Sequence, residues 1–395
     1  MTRSLLECNI ASSFFYEYPI RPGLAMACSR PRRRRKSLLF IPAMVLTTTW
    51  EYCTQNCIPF GRVDRDRIPA QSITLGDVRM SETTLRAVFQ RRPYTSPIAD
   101  GEIPVPGAKI DFTEVDLISK AMPAVCNLAY DIGEITFTDY LQARDLGKPL
   151  VGLPVFVTRN FLHNRIWYHT RSGIAHPKDL EGKTVGIKSY PQTATFWNRA
   201  VLASEYGVDV SRIRWVYLEG AHNAEYTPPT NVVPAPEGAT LADLLESGEI
   251  DAADDPARPF TDAGVSWEHD PETIKPLLSD TKAAEAEWYA RTGVYPILHM
   301  IVLRRAALER LPSLAGDLFA AFTQARDAWM PRITNPDVFR QRGRDIVGRD
   351  FLPYGVDANL PTIEFACRAA HEQGVTSRRL SAIELFDREL FALPA

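Results

Sequence analysis

His176-Pro177-Lys178-Asp179-Leu180-Glu181-Gly182-Lys183-Thr184-Val185-Gly186-Ile187 is the stretch on which the fold turns. Pro177 suits the first turn of a short helix, where its missing N–H would have no partner anyway, and Gly182 suits the end of that helix. Thr184 to Ile187 then reads as a β-strand. Working outward, the spacing predicts a helix over Thr193 to Tyr206, stopped by Gly207, and a strand over Arg212 to Tyr217. Thr240 can cap a helix whose Leu241, Leu244 and Leu245 fall on one face, with Gly248 at its end and a short strand at Ile250 to Ala253. Upstream, Ser72–Leu75, Ala108–Val115, Asp131–Phe137 and Leu150–Val157 read as strands, and Pro154 places part of the last run at an edge or strand end. Strands alternating with helices are the rhythm of an α/β protein with mostly parallel sheets flanked by helices. The chain has no internal repeat, and its one biased tract is the Pro-rich loop from Pro228 to Pro236.

Length and composition agree. The 395 residues suffice for two cores of ordinary size, with 45% hydrophobic and 24% charged residues. A formal charge of -3 argues against a nucleic-acid partner held through phosphates. No apolar run approaches the roughly 20 residues that span a bilayer, so no membrane partner is expected. Six scattered cysteines are too few for a disulfide scaffold, from which a reducing, cytoplasmic location is expected. Cys53 and Cys57 lack a second pair at zinc-binding spacing, so no metal is expected there. Residues 1–70 read as an N-terminal extension. Its run Arg30-Pro31-Arg32-Arg33-Arg34-Arg35-Lys36 before a short apolar stretch has the shape of an export signal, but its depth in the chain, Pro42 and the lack of a cleavage site favour an unfolded extension or an over-long gene start at Met44.

Asp179 to Gly186 resembles the opening of the second lobe in type II solute-binding proteins, and Ser247-Gly248-Glu249-Ile250-Asp251-Ala252 resembles the element that closes it. The resemblance implies a two-lobed type II periplasmic-binding-protein-like fold, with lobe I from residues 71–165 plus 295–395, lobe II from 166–294, and a ligand cleft between them. A narrower set of segments is similar to the 4,5-dihydroxyphthalate decarboxylases: Arg159 to His163, Tyr190 to Arg199, Glu205 to Asp209, Thr292 to His299, Pro353 to Gly355 with Asn359, and Glu372 to Val375. Together they run from about residue 71 to 390. The family's opening survives only as Leu75-Gly76-Asp77-Val78-Arg79, without its cysteine and tyrosine. Arg91 to Gly101 reads as an insertion, and Asp254-Asp255-Pro256-Ala257-Arg258-Pro259 is more acidic than in relatives. The function this implies is decarboxylation of a hydroxylated aromatic acid without a cofactor. The alternative on the same fold is a solute-binding protein delivering an aromatic or other organic carboxylate to an ABC-type transporter, since fold alone does not separate the two. For the decarboxylase reading the partner is a small aromatic carboxylate substrate, and homo-oligomerisation is left open.

Replacing a ring carboxylate by a proton needs an acid for the ring carbon, a base for a ring hydroxyl, and a cation for any carboxylate that stays. His163 and His299 are the expected catalytic residues, being the two histidines inside the matching segments, each near a crossing between lobes; buried structural histidines are the plainer reading. Arg159, Arg199 and Arg258 are candidate carboxylate anchors, because a planar guanidinium binds a carboxylate through two hydrogen bonds. Gln192 and Thr193 stand at a helix N-terminus, where free N–H groups suit an anion. Tyr190 can stack on an aromatic ring, Glu134 and Thr136 can meet ring hydroxyls from a strand end, and Asp77 can act as a base or merely form a turn. Asp254 and Asp255 lack a third nearby carboxylate, so they are not expected to hold a metal.

Overall fold

The computed structural model describes residues 82–256, 269–334, 336, 338–391 and 393. The expected extension, the Cys53/Cys57 pair, the Ser72–Leu75 strand, Asp77 and Arg258 lie outside the described residues.

The chain lays down strands β1 (Thr83–Val88), β2 (Ala108–Phe112), β3 (Ile132–Thr136) and β4 (Leu150–Arg159). It crosses to build a second group: β5 (Ile166–His169), β6 (Thr184–Ile187), β7 (Arg214–Tyr217), β8 (Val232–Pro234), β9 (Ala252–Asp254) and β10 (Ile274–Pro276). It then returns with β11 (Ile297–Arg304). The first sheet has the order β2-β1-β3-β11-β4 and the second β10-β5-β9-β6-β7-β8. In the first, β1 pairs parallel with β2 and β3, while the returning β11 runs antiparallel between β3 and β4. In the second, β6, β7, β8 and β9 pair parallel, and the incoming β5 is antiparallel to β9. Two α/β sheets joined by two crossings make the bilobed architecture of the type II periplasmic-binding-protein fold.

The local chemistry explains the elements. From Leu150 to Val157 every residue of β4 is buried, as expected of a strand covered on both faces. Pro154 has no N–H to give, and β4 is accordingly an edge strand whose ladder with β11 breaks between the Ile301–Leu153 and His299–Thr158 pairs. That edge is covered: Gly355 N–H donates to the Pro154 carbonyl at 2.9 Å. Gly207 and Gly248 end their helices at φ 61° and 76°, a left-handed conformation that costs a side chain dearly. The Pro-rich loop contributes β8, whose proline sits at the sheet edge, where a missing donor is tolerated.

The first described strand is Thr83–Val88, a stretch not read as a strand from the sequence. Arg91 to Gly101 lies between β1 and β2 and includes the short helix Ser96–Ala99.

Candidate functional site

The parallel strands β1, β3 and β4 all end on the same edge of the first sheet, where open α/β sheets hold their ligands. A cavity of about 850 Å³ opens there, lined by Arg92, Thr136, Arg159 and His299 from lobe I and by Gln192 and His222 from lobe II, among others.

His299 lies on β11 directly opposite Thr136 of β3. Its Nδ1 is 2.7 Å from Glu134 Oε1. Arg92 grips the same carboxylate with both terminal nitrogens, at 2.7 and 2.8 Å, and the Gln90 N–H adds a third donor at 2.9 Å. Glu134 has no exposure to solvent. Burial by itself would raise its pKa, but the Arg92 guanidinium and the hydrogen bonds from Arg92 and His299 hold the carboxyl well below its usual range. An ionised carboxylate only accepts, so Nδ1 of His299 carries a proton and Nε2 is the ring nitrogen left for chemistry. Glu134 therefore orients a histidine and does not meet a ring hydroxyl: it stands behind His299, outside the cavity lining.

Arg159 ends β4 and is buried. Its Nη1 donates to Asn359 Oδ1 and its Nη2 to the Tyr295 carbonyl, while its guanidinium lies 4.6 Å from the Tyr295 ring centroid. Among the described residues no carboxylate is bonded to it, and Nε has no hydrogen-bond partner. Burial pulls its pKa down to about 10. Arg159 is thus a buried cation at the cavity wall, hydrogen-bonded only to neutral partners among the described residues. Part of the cavity wall is aromatic: Tyr94 and Trp329 line it with ring centroids 4.5 Å apart, and Phe351 follows Trp329 at 6.3 Å.

The other expected residues separate. Gln192 and Thr193 line the cavity at the start of the Thr193–Tyr206 helix, but the Thr193 hydroxyl is engaged with Thr138 Oγ1 across the cleft at 2.7 Å. Thr136 lines it too and caps the Phe137–Asp145 helix, accepting from Asp139 N at 3.1 Å. Three expectations are corrected. His163 does not reach the cavity; its ring lies against Trp288, both nitrogens buried without hydrogen-bond partners, and burial lowers its pKa to about 4. Arg199 is wholly buried, donating to Gln373 Oε1 and the Tyr190 carbonyl, so it ties its helix to the C-terminal part of the chain and does not face the cavity. Tyr190 gives its hydroxyl to the Gln373 carbonyl and its ring face to Arg199 at 3.7 Å. In each case a side chain that reads as a ligand contact is spent on the core. Asp254 and Asp255 are both ion-paired with Arg165, at 2.6 and 3.1 Å.

Arg92, Tyr94 and the pair Asp139–His222 were missed. The first two sit just past the apolar run Leu85 to Phe89, which is the strand signal that locates them. Asp139 and His222 are 83 positions apart, and no local pattern joins them.

Residues 108–227 match the family model described as NMT1/THI5 like. The 4,5-dihydroxyphthalate decarboxylase of Comamonas testosteroni is 32% identical over 331 residues, covering 78% of this chain and 97% of the relative. The enzyme of the same name from Pseudomonas putida is 32% identical over 203 residues, 49% of this chain and 76% of its own. Among solved structures, the periplasmic aliphatic sulphonate binding protein SsuA from Escherichia coli has 15% identity and a TM-score of 0.46, covering 79% of this chain and 99% of its own. A putative periplasmic sulfonate-binding protein from Methylobacillus flagellatus KT has 14% identity and a TM-score of 0.48, covering 79% and 93%. Both of these solved structures are described as periplasmic, and the expectation of a cytoplasmic location is withdrawn. Its ground was weak in physical terms: cores of this size need no disulfides in either compartment, so sparse cysteine does not report location.

Proposed function

Because the chain belongs to the 4,5-dihydroxyphthalate decarboxylase family, we propose that it decarboxylates a hydroxylated aromatic acid in the cavity between its lobes. The observation that carries the reading is the placement of His299 and Arg159 on adjacent strands at one cavity wall. Ile297, two residues before His299, pairs with Arg159 across the β11–β4 ladder. A carboxylate held by Arg159 brings an aromatic ring alongside His299, with Tyr94 and Trp329 as its apolar wall. His299 Nε2 exchanges a proton with the ring, while Glu134 and Arg92 keep the imidazole in one tautomer and orientation. The carboxylate that leaves faces apolar side chains, where loss of its charge as CO2 is favoured over retention. A carboxylate gripped by Arg159 is stabilised in the ground state, so the anchored group and the departing group are different ones.

The test is CO2 release from 4,5-dihydroxyphthalate and a series of hydroxybenzoates by the purified protein, with and without EDTA. Release from at least one acid, unchanged by EDTA, is the expected result. Tight binding of one acid with no release from any overturns the reading in favour of a binding protein.

A further inference from the structure

We propose that His222, held by Asp139, is the second proton-transfer group of this site, so that lobe I supplies one acid/base histidine and lobe II the other. The inference rests on the decarboxylase reading and adds to it the group that protonates the ring carbon.

The geometry is that of a second imidazole–carboxylate pair. His222 Nδ1 lies 2.8 Å from Asp139 Oδ2, and both residues line the same cavity as His299. Asp139 is 3% exposed and belongs to the first turn of the Phe137–Asp145 helix, whose cap, Thr136, is the ladder partner of His299. The two carboxylate–histidine pairs therefore flank one junction, where β3 passes into that helix. They differ in charge balance. Glu134 is already matched by Arg92, whereas Asp139 has His222 as its one cationic partner among the described residues. Asp139 accordingly raises the pKa of His222 against the effect of burial. The other charged groups facing His222 are Lys188, which opposes the cation, and Glu219, which favours it; these two lie 3.4 Å apart and largely offset each other. Beside it, fully buried Asn223 donates to the Asp139 carbonyl and to Gln142 Oε1, both at 3.2 Å, tying the lobe II loop to the lobe I helix. These bonds hold the segment that carries His222 at the cavity wall.

The division of labour balances. His299 Nε2 takes the proton of a ring hydroxyl ortho or para to the departing carboxylate. The His222 imidazolium gives its proton to the ring carbon bearing that carboxylate, forming a C–H bond and a ring ketone. The C–C bond then breaks, its electron pair stays in the ring, and CO2 leaves. His299 returns the hydroxyl proton, and solvent recharges His222. One proton is consumed per CO2, and nothing is oxidised or reduced.

The experiment compares His222→Gln with His222→Ala, using 4,5-dihydroxyphthalate as the probe and following CO2 release across pH. Glutamine keeps a donor for Asp139 but carries no transferable proton. Expected are kcat losses of about 100-fold or more in both variants, disappearance of the basic limb of the kcat/KM profile, and retained binding of the probe by equilibrium dialysis. Wild-type kcat with an intact basic limb in His222→Gln makes the residue a mere latch and overturns the inference while the decarboxylase reading stands. No release by the wild-type protein from the probe or any hydroxybenzoate overturns both. Should the His222 variants not fold, Asp139→Asn takes their place. It keeps an acceptor and removes the charge, so the basic limb must move to lower pH, and an unmoved limb refutes the proposal.

Discussion

His299 and Glu134 stand on neighbouring strands of the first sheet, with Nδ1 of the imidazole 2.7 Å from a carboxylate oxygen that Arg92 holds from the other side. Arg92 is itself largely buried, and Glu134 drives its pKa up against the effect of burial. The three side chains form one unit: a charge pair behind a histidine that lines the cavity. A pair buried this deeply adds little net stability, because the desolvation of both ions offsets their attraction. What it provides is orientation.

Removing the imidazole tests that unit at its tip. His299→Ala is expected to lower kcat by about 100- to 10,000-fold, the range for a general acid or base, with a much smaller change in KM. Steady-state kinetics on the accepted acid decides it; a KM effect with kcat unchanged assigns His299 to binding alone.

Glu134→Gln tests the support. It leaves Arg92 buried without its counter-ion, at a cost of about 3–5 kcal/mol, and frees the tautomer of His299, lowering kcat about 10- to 100-fold as for other orienting partners. The pH dependence has a definite sign. A carboxyl held below its unfolded value stabilises the fold above about pH 4.5 and loses that contribution as pH falls through its folded value. The stability gap between wild type and Glu134→Gln, measured by urea unfolding, should therefore narrow as pH drops below about 4.5.

Arg159→Met tests the anchor. Loss of charge-assisted hydrogen bonds of about 1.5–3 kcal/mol predicts roughly 10- to 100-fold weaker binding of an aromatic carboxylate. A neutral catechol should bind as before. Isothermal titration with both ligands distinguishes them, and equal losses would remove the anchor from the argument.

His163→Phe tests the correction made to that residue. The ring keeps its packing against Trp288, so the kcat/KM profile should not change. Stability should. A neutral buried imidazole with a folded pKa of about 4 contributes stability above its unfolded value near 6.5 and loses it as pH falls towards 4. With about 1.4 kcal/mol per unit, the effect is bounded near 3 kcal/mol. Thermal unfolding between pH 7 and 4 should show less acid loss in the variant than in wild type.

Much of this protein is legible in the order of its residues. The helix over Thr193–Tyr206 and the strand over Thr184–Ile187 follow from apolar spacing and from glycine and proline at their ends, because those forces act within a few residues. The edge position of Pro154 follows from a missing N–H. The family is legible too, in segments that keep their order and spacing. The site is legible only in part. His299 and Arg159 stood out because each lies in a matching segment beside a strand end. His163, Tyr190 and Arg199 stood out for the same reason and proved to be core, since whether a polar side chain faces a cavity or a neighbouring element depends on packing between segments far apart in the chain. Arg92 with Glu134, and His222 with Asp139, are separated by 42 and 83 positions. Neither pair leaves a periodic or compositional trace, and only the folding of two sheets and a loop onto one cavity brings their charges within hydrogen-bonding distance.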